Sequence, residues 1–248
     1  IDDTSTTEID DALSVQALPG GGWRVGIHIA APGLGIAPDS EFDLLARERM
    51  SSVYMPGDKI TMLPHNVVAR YSLDAGKAVP ALSLYLDLDA EASLILSSHS
   101  RIERVPIAEN LRHEQCEALV TETALADPQG AAQLPFGEAL SVLWRFTLAS
   151  CAQRERVRGK PEPRFRTDFS FRIERNEHGE RVHIEQRRRD APLDRIVAEM
   201  MILANSHWGA LLDEHHAPGI YRSQQAGRVR MSIQPLPHEG LGVSQYMW

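Results

Sequence analysis

The chain contains 248 residues, 43% of them hydrophobic and 24% charged, and its formal net charge is −8. This composition is typical of a globular protein with one sizeable core or two small ones. Two cysteines exclude a disulfide framework, and polar residues interrupt the longest apolar run, over residues 196–212, which excludes a membrane span. Because no signal peptide is recognisable, we expect a cytoplasmic protein.

The predicted elements mix strands and helices without a regular βαβ alternation. Alternating apolar residues predict strands, apolar residues three or four apart predict helices, and Gly and Pro clusters separate them. In chain order the predictions are strands over residues 12–15 and 23–30, a helix over 39–50, a short extended segment over 52–57, strands over 81–88 and 94–105, helices over 109–123 and 136–157, strands over 166–174 and 181–186, and a helix over 194–215. This order favours one α+β domain around a mixed sheet, with residues 124–134 as an exposed linker.

The acidic segment, residues 2–11, is rich in carboxylates. Two carboxylates at about 5 Å repel each other by roughly 3 kcal/mol at an effective dielectric constant near 20, so a fold tolerates a cluster only with a cation or with full solvation. Mg²⁺ prefers such hard oxygen ligands. A solvated acidic turn is the alternative, but the apolar Ile9, Leu13 and Val15 would hold the acids at the edge of a core. The acidic residues are Asp2, Asp3, Glu8, Asp10 and Asp11.

Spacing within the acidic segment indicates which side chains can converge. Asp2, Glu8 and Asp10 occupy even-numbered positions, so their side chains point to the same side of an extended chain. Asp11 points to the other side and joins them only after a local bend. Two metal ions about 4 Å apart, held by several carboxylates, clamp the attacking and leaving oxygens of phosphoryl transfer. Hydrolysis of a phosphodiester is therefore the leading prediction. A single regulatory Mg²⁺ or Ca²⁺ site, without the EF-hand pattern, stays open.

A second segment combines basic and aromatic residues despite the acidic total charge. Arginine contacts phosphates and phenylalanine stacks on bases, so the combination favours a groove for single-stranded nucleic acid. The alternative is an exposed strand whose phenylalanines face the core. The segment contains Arg154, Arg156, Arg158, Lys160, Arg164, Arg166, Arg172, Arg175, Arg181, Arg187, Arg188 and Arg189, with Phe165, Phe169 and Phe171 between them.

Several short stretches form an ordered set along nearly the whole chain. They are Ile1-Asp2 with Asp10-Asp11-Ala12-Leu13, His28-Ile29-Ala30, Ser52-Val53-Tyr54-Met55-Pro56-Gly57, Met62-Leu63-Pro64, Tyr71-Ser72-Leu73, and Ile196-Val197-Ala198-Glu199-Met200-Met201-Ile202-Leu203-Ala204-Asn205. Each stretch is weak alone, but the ordered set is specific, and it resembles the catalytic RNB domain of the ribonuclease II and ribonuclease R family. The resemblance implies an α+β fold of the RNB type over residues 1–248, with a mixed β-sheet or barrel-like core surrounded by helices. The family's Arg-rich motif and its flanking OB-type and S1-type domains are expected in a longer polypeptide.

The resemblance also implies an exoribonuclease that shortens single-stranded RNA from its 3′ end and releases nucleoside 5′-monophosphates. Its cofactor would be Mg²⁺, with Mn²⁺ as the alternative. The resemblance assigns metal coordination to Asp2, Glu8, Asp10 and Asp11. Asp10 is the residue that we expect hydrolysis to need most. Glu8 stands where relatives usually have aspartate, and it reaches one methylene further. We expect a monomer, because the enclosed RNA channel of the family needs no partner subunit.

Four further residues match RNA contacts of the family. Tyr54 corresponds to a tyrosine that stacks on the terminal nucleotide, and Phe171 to the aromatic residue that closes the base stack. Stacking accepts any base and contributes about 1–3 kcal/mol per base. Glu199 resembles a glutamate that meets the RNA near the active site, with a solvated helix position as the alternative. His113 falls where relatives often have a tyrosine.

Two other functions stay open at this point. One is a non-hydrolytic RNA-binding regulator that retains the RNB fold, although degenerate relatives of that kind usually lose the acids, and Asp2, Asp10 and Asp11 are present here. The other is a metal-dependent phosphoesterase that acts on small nucleotides.

Overall fold

The computed structural model describes residues 1–161, 167–176, 179–188 and 191–221, together with residues 233–234 and 245–246. The chain forms two compact units, Ile1–Ser206 and His207–Trp248. The strands are β1 (Asp11–Ala17), β2 (Trp23–Ala30), β3 (Val53–Met55), β4 (Asp58–Ile60), β5 (Ala78–Leu88), β6 (Ile95–Pro106), β7 (Thr167–Asn176), β8 (Gly179–Arg188), β9 (Ile233–Gln234) and β10 (Gln245–Tyr246). The helices are α1 (Glu41–Arg49), α2 (His65–Tyr71), α3 (His113–Cys116), α4 (Glu122–Ala126), α5 (Pro128–Ala131), α6 (Gly137–Arg158) and α7 (Pro192–Glu214). Within these ranges no helix is both long and apolar enough to cross a membrane.

A four-stranded sheet in the order β1-β2-β5-β6 forms the centre of the first unit. All three strand pairs are antiparallel, since β1–β2 and β5–β6 are hairpins and β5 returns beside β2. The predicted α+β class is confirmed. The predicted mixed or barrel-like sheet is corrected, because among the described residues the central sheet is wholly antiparallel and keeps β1 and β6 as separate edges.

Most predicted elements agree with the structure, but the helix predicted over residues 109–123 does not form as one piece. It is reduced to α3, and a new helix begins after Thr121, whose side chain accepts a hydrogen bond from the Ala124 amide. The predicted linker over residues 124–134 is helical as well, because Asp127 caps α5. Capping residues therefore divide this region into short helices. The sequence prediction also lacks α2 and β4.

A hydrophobic cluster anchors the acidic segment to one face of the sheet. Ile9, with 1% of its surface exposed, packs there among core residues, and Ala12 and Ala30 pack against the same cluster. Glu8 and Asp10 flank this buried side chain, so their backbone is fixed by the core while their carboxylates remain at its margin. The other members of the cluster are Leu73, Val79, Ala81, Val105 and Ile107.

A buried histidine connects three strands of the sheet. His28 on β2 is hydrogen-bonded through Nε2 to Ser14 Oγ and through Nδ1 to Ser83 Oγ, each at 2.8 Å. Burial lowers the pKa of His28 to about 4, so the ring is neutral at physiological pH. Gly26 leaves room for this arrangement, since an added Cβ would lie 2.3 Å from Ser14 Oγ. His28 therefore has a structural role, which is to fix the register of the strand that follows the acidic segment.

Candidate active site

The acidic segment is tied to the protein at both ends. Near its start the Asp2 amide donates to Leu111 O at 3.1 Å, and Asp2 O accepts from the His113 amide at 3.0 Å. Near its end the Ile9 amide donates to Ser72 Oγ at 3.1 Å. These bonds fix the backbone that carries the carboxylates at both ends of the segment.

Two side chains at the beginning of α3 hold the middle of the acidic segment. Arg112 Nη1 donates to Asp3 O at 3.0 Å and to Thr6 O at 3.5 Å. The Glu114 carboxylate accepts from the Thr4 amide at 2.9 Å and from Thr4 Oγ1 at 2.7 Å. The sequence prediction did not find this brace, because the two contacts join residues more than a hundred positions apart. No local pattern signals such a contact.

The electrostatics of the carboxylates favour the binding of a cation. Burial raises the pKa of Asp2 to about 6, and the neighbouring Asp11 adds to this shift. Burial also raises the pKa of Asp10, with Glu8 and Asp11 contributing, and it raises the pKa of Asp11. Each shift means that the folded protein disfavours the ionised carboxylate. A bound cation would offset both the desolvation and the mutual repulsion.

The β3–β4 hairpin contributes an aromatic and a cationic side chain to this region. Tyr54 and Lys59 are directly opposite each other across the hairpin. The turn between them contains Gly57 with a φ of 77°, a left-handed conformation that favours glycine. Lys59 Nζ lies 3.2 Å from Glu8 Oε2 and also bonds Thr7 Oγ1, and the Tyr54 hydroxyl donates to Glu8 Oε2 at 3.3 Å. The sequence prediction missed Lys59, although the Pro-Gly turn after Tyr54 was a usable signal for this register.

The two aromatic residues predicted to stack on RNA are both exposed, Tyr54 by 70% and Phe171 by 51%. They lie on adjoining hairpins, because a Cβ added at Gly57 would come 3.0 Å from Ile173 Cδ1 on β7. Phe169 is exposed too, so the alternative in which the phenylalanines face the core is wrong for Phe169 and Phe171.

The remainder of the basic segment is described only in part. The side chains of Arg164, Phe165, Arg166, Arg172, Arg175, Arg187, Arg188 and Arg189 lie outside the described residues.

The other two predicted RNA contacts, Glu199 and His113, are buried. Glu199, 3% exposed, accepts from Arg154 Nη1 at 2.6 Å and from Cys151 Sγ at 3.2 Å. The alternative interpretation, in which Glu199 occupies a solvated position on the helix, is wrong because the side chain is buried. His113 Nε2 lies 3.9 Å from Asp194 Oδ1. A role for either residue in RNA binding stays a prediction, and in this arrangement both side chains are turned into the protein.

The donor set of the acidic segment fits a divalent cation in its chemistry. Carboxylate oxygens are hard ligands, and a cation would offset the burial that raises the pKa values of Asp2, Asp10 and Asp11. In the part of the chain that the structure describes, however, no three His, Cys, Asp or Glu side chains converge to hold a metal ion. Coordination therefore requires side-chain rotation on the fixed backbone.

The raised pKa of Asp2 predicts how the stability of the metal-free protein depends on pH. Between the ordinary value of 3.8 and about 6, the folded form holds a proton that the unfolded chain has released. Stability therefore falls as the pH rises through this window. Asp2→Asn removes this contribution, so we expect its Tm relative to wild type to be higher at about pH 7 than at about pH 4. Thermal unfolding in EDTA measures the difference, and equal differences at both pH values would contradict the prediction.

Comparison with known proteins identifies relatives along almost the whole chain. The chain is 32% identical over 225 residues to an uncharacterized ribonuclease of Synechocystis, covering 90% of this chain and 31% of that protein. It is 28% identical over 232 residues to exoribonuclease 2 of Vibrio vulnificus, covering 89% and 32%. The chain thus spans about a third of the length of these curated relatives.

The relatives also include a protein that lacks activity. Over 96 residues, 38% of this chain and 9% of the relative, the chain is 44% identical to an Arabidopsis thaliana protein described as an inactive exonuclease. Membership of this group therefore does not by itself establish hydrolysis.

The fold is shared with solved ribonuclease structures. The Dss1 exoribonuclease of Candida glabrata superposes with a TM-score of 0.71 at 18% identity, covering 88% of this chain and 29% of that one. The family model of the RNB domain matches residues 1–230. Because this match covers more than nine tenths of the sequence, the chain belongs to the RNB-domain family.

Proposed function

We propose that this chain is the hydrolytic part of a 3′ to 5′ exoribonuclease that shortens single-stranded RNA and depends on Mg²⁺ or Mn²⁺. The observation that carries the proposal is the acidic segment itself. It keeps Asp2, Asp10 and Asp11 on a braced backbone, at the margin of the core, with raised pKa values. An uncompensated cluster of this kind is costly for folding alone, and its retention is explained by a cation-dependent reaction.

Separate tasks follow for the residues around the scissile phosphate. A bound divalent ion supplies charge stabilisation and lowers the pKa of an attacking water. Asp2, Asp10 and Asp11 would hold the ion, and Asp10, the most exposed of the three, would orient the water. Tyr54 offers its ring to the terminal base. Release of nucleoside 5′-monophosphates follows if water attacks the last phosphodiester and the 3′-oxygen of the shortened chain leaves.

A non-hydrolytic RNA-binding protein is the second candidate, because an inactive relative shares 44% identity with part of this chain. The same exposed aromatic residues would serve RNA binding without cleavage. Asp2, Asp10 and Asp11 argue against this candidate. Their pKa shifts are a cost that an RNA-binding surface does not require.

One assay separates the candidate functions. The complete protein is incubated with 5′-labelled poly(A) and Mg²⁺, and in parallel with EDTA. Stepwise shortening that requires the metal is expected. Tight binding without shortening would support the non-hydrolytic candidate, and inactivity on RNA with hydrolysis of small nucleotides would support a phosphoesterase.

Tyr54→Ala is expected to change the length of the smallest product more than the cleavage rate on long RNA. Loss of stacking removes about 1–3 kcal/mol per base, and short RNA has the fewest other contacts to replace it. Gel analysis of the end products measures the effect. Tyr54→Phe is the matched control, because it keeps the ring and removes only the hydrogen bond to Glu8. An end product of unchanged length in Tyr54→Ala would remove Tyr54 from the RNA site.

A further inference from the structure

Lys59 places a positive charge beside the acidic segment. Its Nζ lies 3.2 Å from Glu8 Oε2 and bonds Thr7 Oγ1. One ammonium group therefore compensates the Glu8 carboxylate.

Glu8 is held from two directions by the β3–β4 hairpin. Lys59 and the Tyr54 hydroxyl reach the same oxygen, Glu8 Oε2, at 3.2 and 3.3 Å. The Glu8 and Lys59 side chains are only 12% and 27% exposed, so salt screens their interaction less than that of a surface pair. Because glutamate reaches one methylene further than aspartate, this position can extend to the hairpin.

We propose that Lys59 is a built-in cation of this site, which binds Glu8 and leaves Asp2, Asp10 and Asp11 as the carboxylates available to a single divalent ion. This inference rests on the metal-dependent function proposed above. It assigns Lys59 as a positioning residue, because Lys59 acts through Glu8. It also makes Glu8 a partner of the hairpin, whereas the sequence resemblance predicts it as a metal ligand.

Electrostatics explain why one divalent ion is expected. A second ion near Glu8 would have to displace the ammonium or approach it closely, and like charges at short range in a partly buried site repel strongly. A pair of metal ions also needs several carboxylates to bridge it. With Glu8 bound to Lys59, the acidic segment supplies fewer of them.

The test is a titration of metal-stripped, complete protein with Mn²⁺, followed by calorimetry and by the electron paramagnetic resonance signal of free Mn²⁺. Wild type is expected to bind one ion at the site. Glu8→Gln is expected to bind one ion with an affinity within about twofold of wild type, because Glu8 is not a ligand. Lys59→Met is expected to bind a second ion, or to bind Mn²⁺ about tenfold more tightly, because it leaves Glu8 beside Asp10 without the ammonium.

Three comparisons complete the experiment. The double variant Lys59→Met, Glu8→Gln is expected to return to one ion. Lys77→Met removes a lysine from a more exposed ion pair, with Asp74, and is expected to match wild type. A loss of Mn²⁺ affinity of about tenfold or more in Glu8→Gln would overturn the proposal, as would wild-type binding in Lys59→Met. If Lys59→Met does not fold, as judged by thermal unfolding, Glu8→Gln decides alone. Failure of wild type to cleave RNA would overturn the proposed function instead, while the Mn²⁺ count stays measurable.

Discussion

Asp10→Asn is expected to lower the rate of RNA cleavage by about a thousandfold or more, because a metal site contributes several kcal/mol of charge stabilisation in the transition state. Asp10 directly follows the buried Ile9, and burial, Glu8 and Asp11 raise the pKa of its carboxyl group. The amide is nearly isosteric with the carboxylate. The change therefore removes a charge from the proposed metal site and leaves the packing of Ile9 in place.

RNA affinity distinguishes this effect from a general disturbance. Fluorescence anisotropy with single-stranded RNA in EDTA is expected to give the same dissociation constant for Asp10→Asn and wild type within about threefold, because the exposed rings of Tyr54 and Phe171 are unaffected. Asp3→Asn is the matched control in the same segment, and its cleavage rate is expected to stay near that of wild type. An Asp10→Asn variant that retains most of its activity would remove Asp10 from the mechanism.

Local patterns were sufficient to predict the central sheet and the long helices. Two signals predict the hairpins of the sheet: the alternation of apolar residues over β2 and β5, and the Gly-rich turn before β2. The predicted ends of these strands agree with the structure to within a few residues. The region between β6 and α6 could not be predicted in the same way. There the sequence predicts one helix over residues 109–123 and a linker over residues 124–134, whereas capping side chains such as Thr121 and Asp127 divide the region into short helices.

The candidate site shows the same limit more strongly. The sequence alone identifies the carboxylates of the acidic segment, because they are unusually dense and their spacing shows which of them point to the same side of an extended chain. Their environment depends on contacts that are distant in sequence. Arg112 lies more than a hundred residues from the carbonyls that it binds, and Lys59 lies about fifty residues from Glu8. A sequence pattern can therefore indicate the candidate carboxylates of such a site, while the groups that surround them have to be found in the structure.

Glu199 lies on the buried side of α7. Its spacing from apolar residues in the sequence indicated this burial, but it did not identify the partner of the carboxylate. It follows the fully buried Ile196 by three residues and precedes the fully buried Met200, a spacing that places it on the core face of the helix. An acidic residue on such a face needs a partner inside the protein. That partner, Arg154, lies on α6 and could not be assigned from the sequence of α7.

Glu199→Ala is therefore expected to lower the free energy of unfolding by about 3–5 kcal/mol, because it removes the carboxylate from a guanidinium that is itself largely buried. Glu199→Gln keeps the shape and a hydrogen-bond acceptor and is expected to cost less. The double variant Arg154→Met, Glu199→Met is expected to recover much of the loss, since apolar replacement of both partners removes the desolvation of both charges. Denaturant unfolding of the four proteins measures these differences.

RNA binding by the folded Glu199→Gln variant decides between a structural ion pair and an RNA contact. A pair with Arg154 at 2.6 Å and a bond from Cys151 at 3.2 Å engage one oxygen of Glu199, and the side chain is shielded from solvent. Neutralising it is therefore expected to leave the dissociation constant for single-stranded RNA unchanged while the stability falls. A change in RNA affinity without a change in stability would return Glu199 to the RNA site. It would also mean that α7 presents this side chain to RNA in the complete protein.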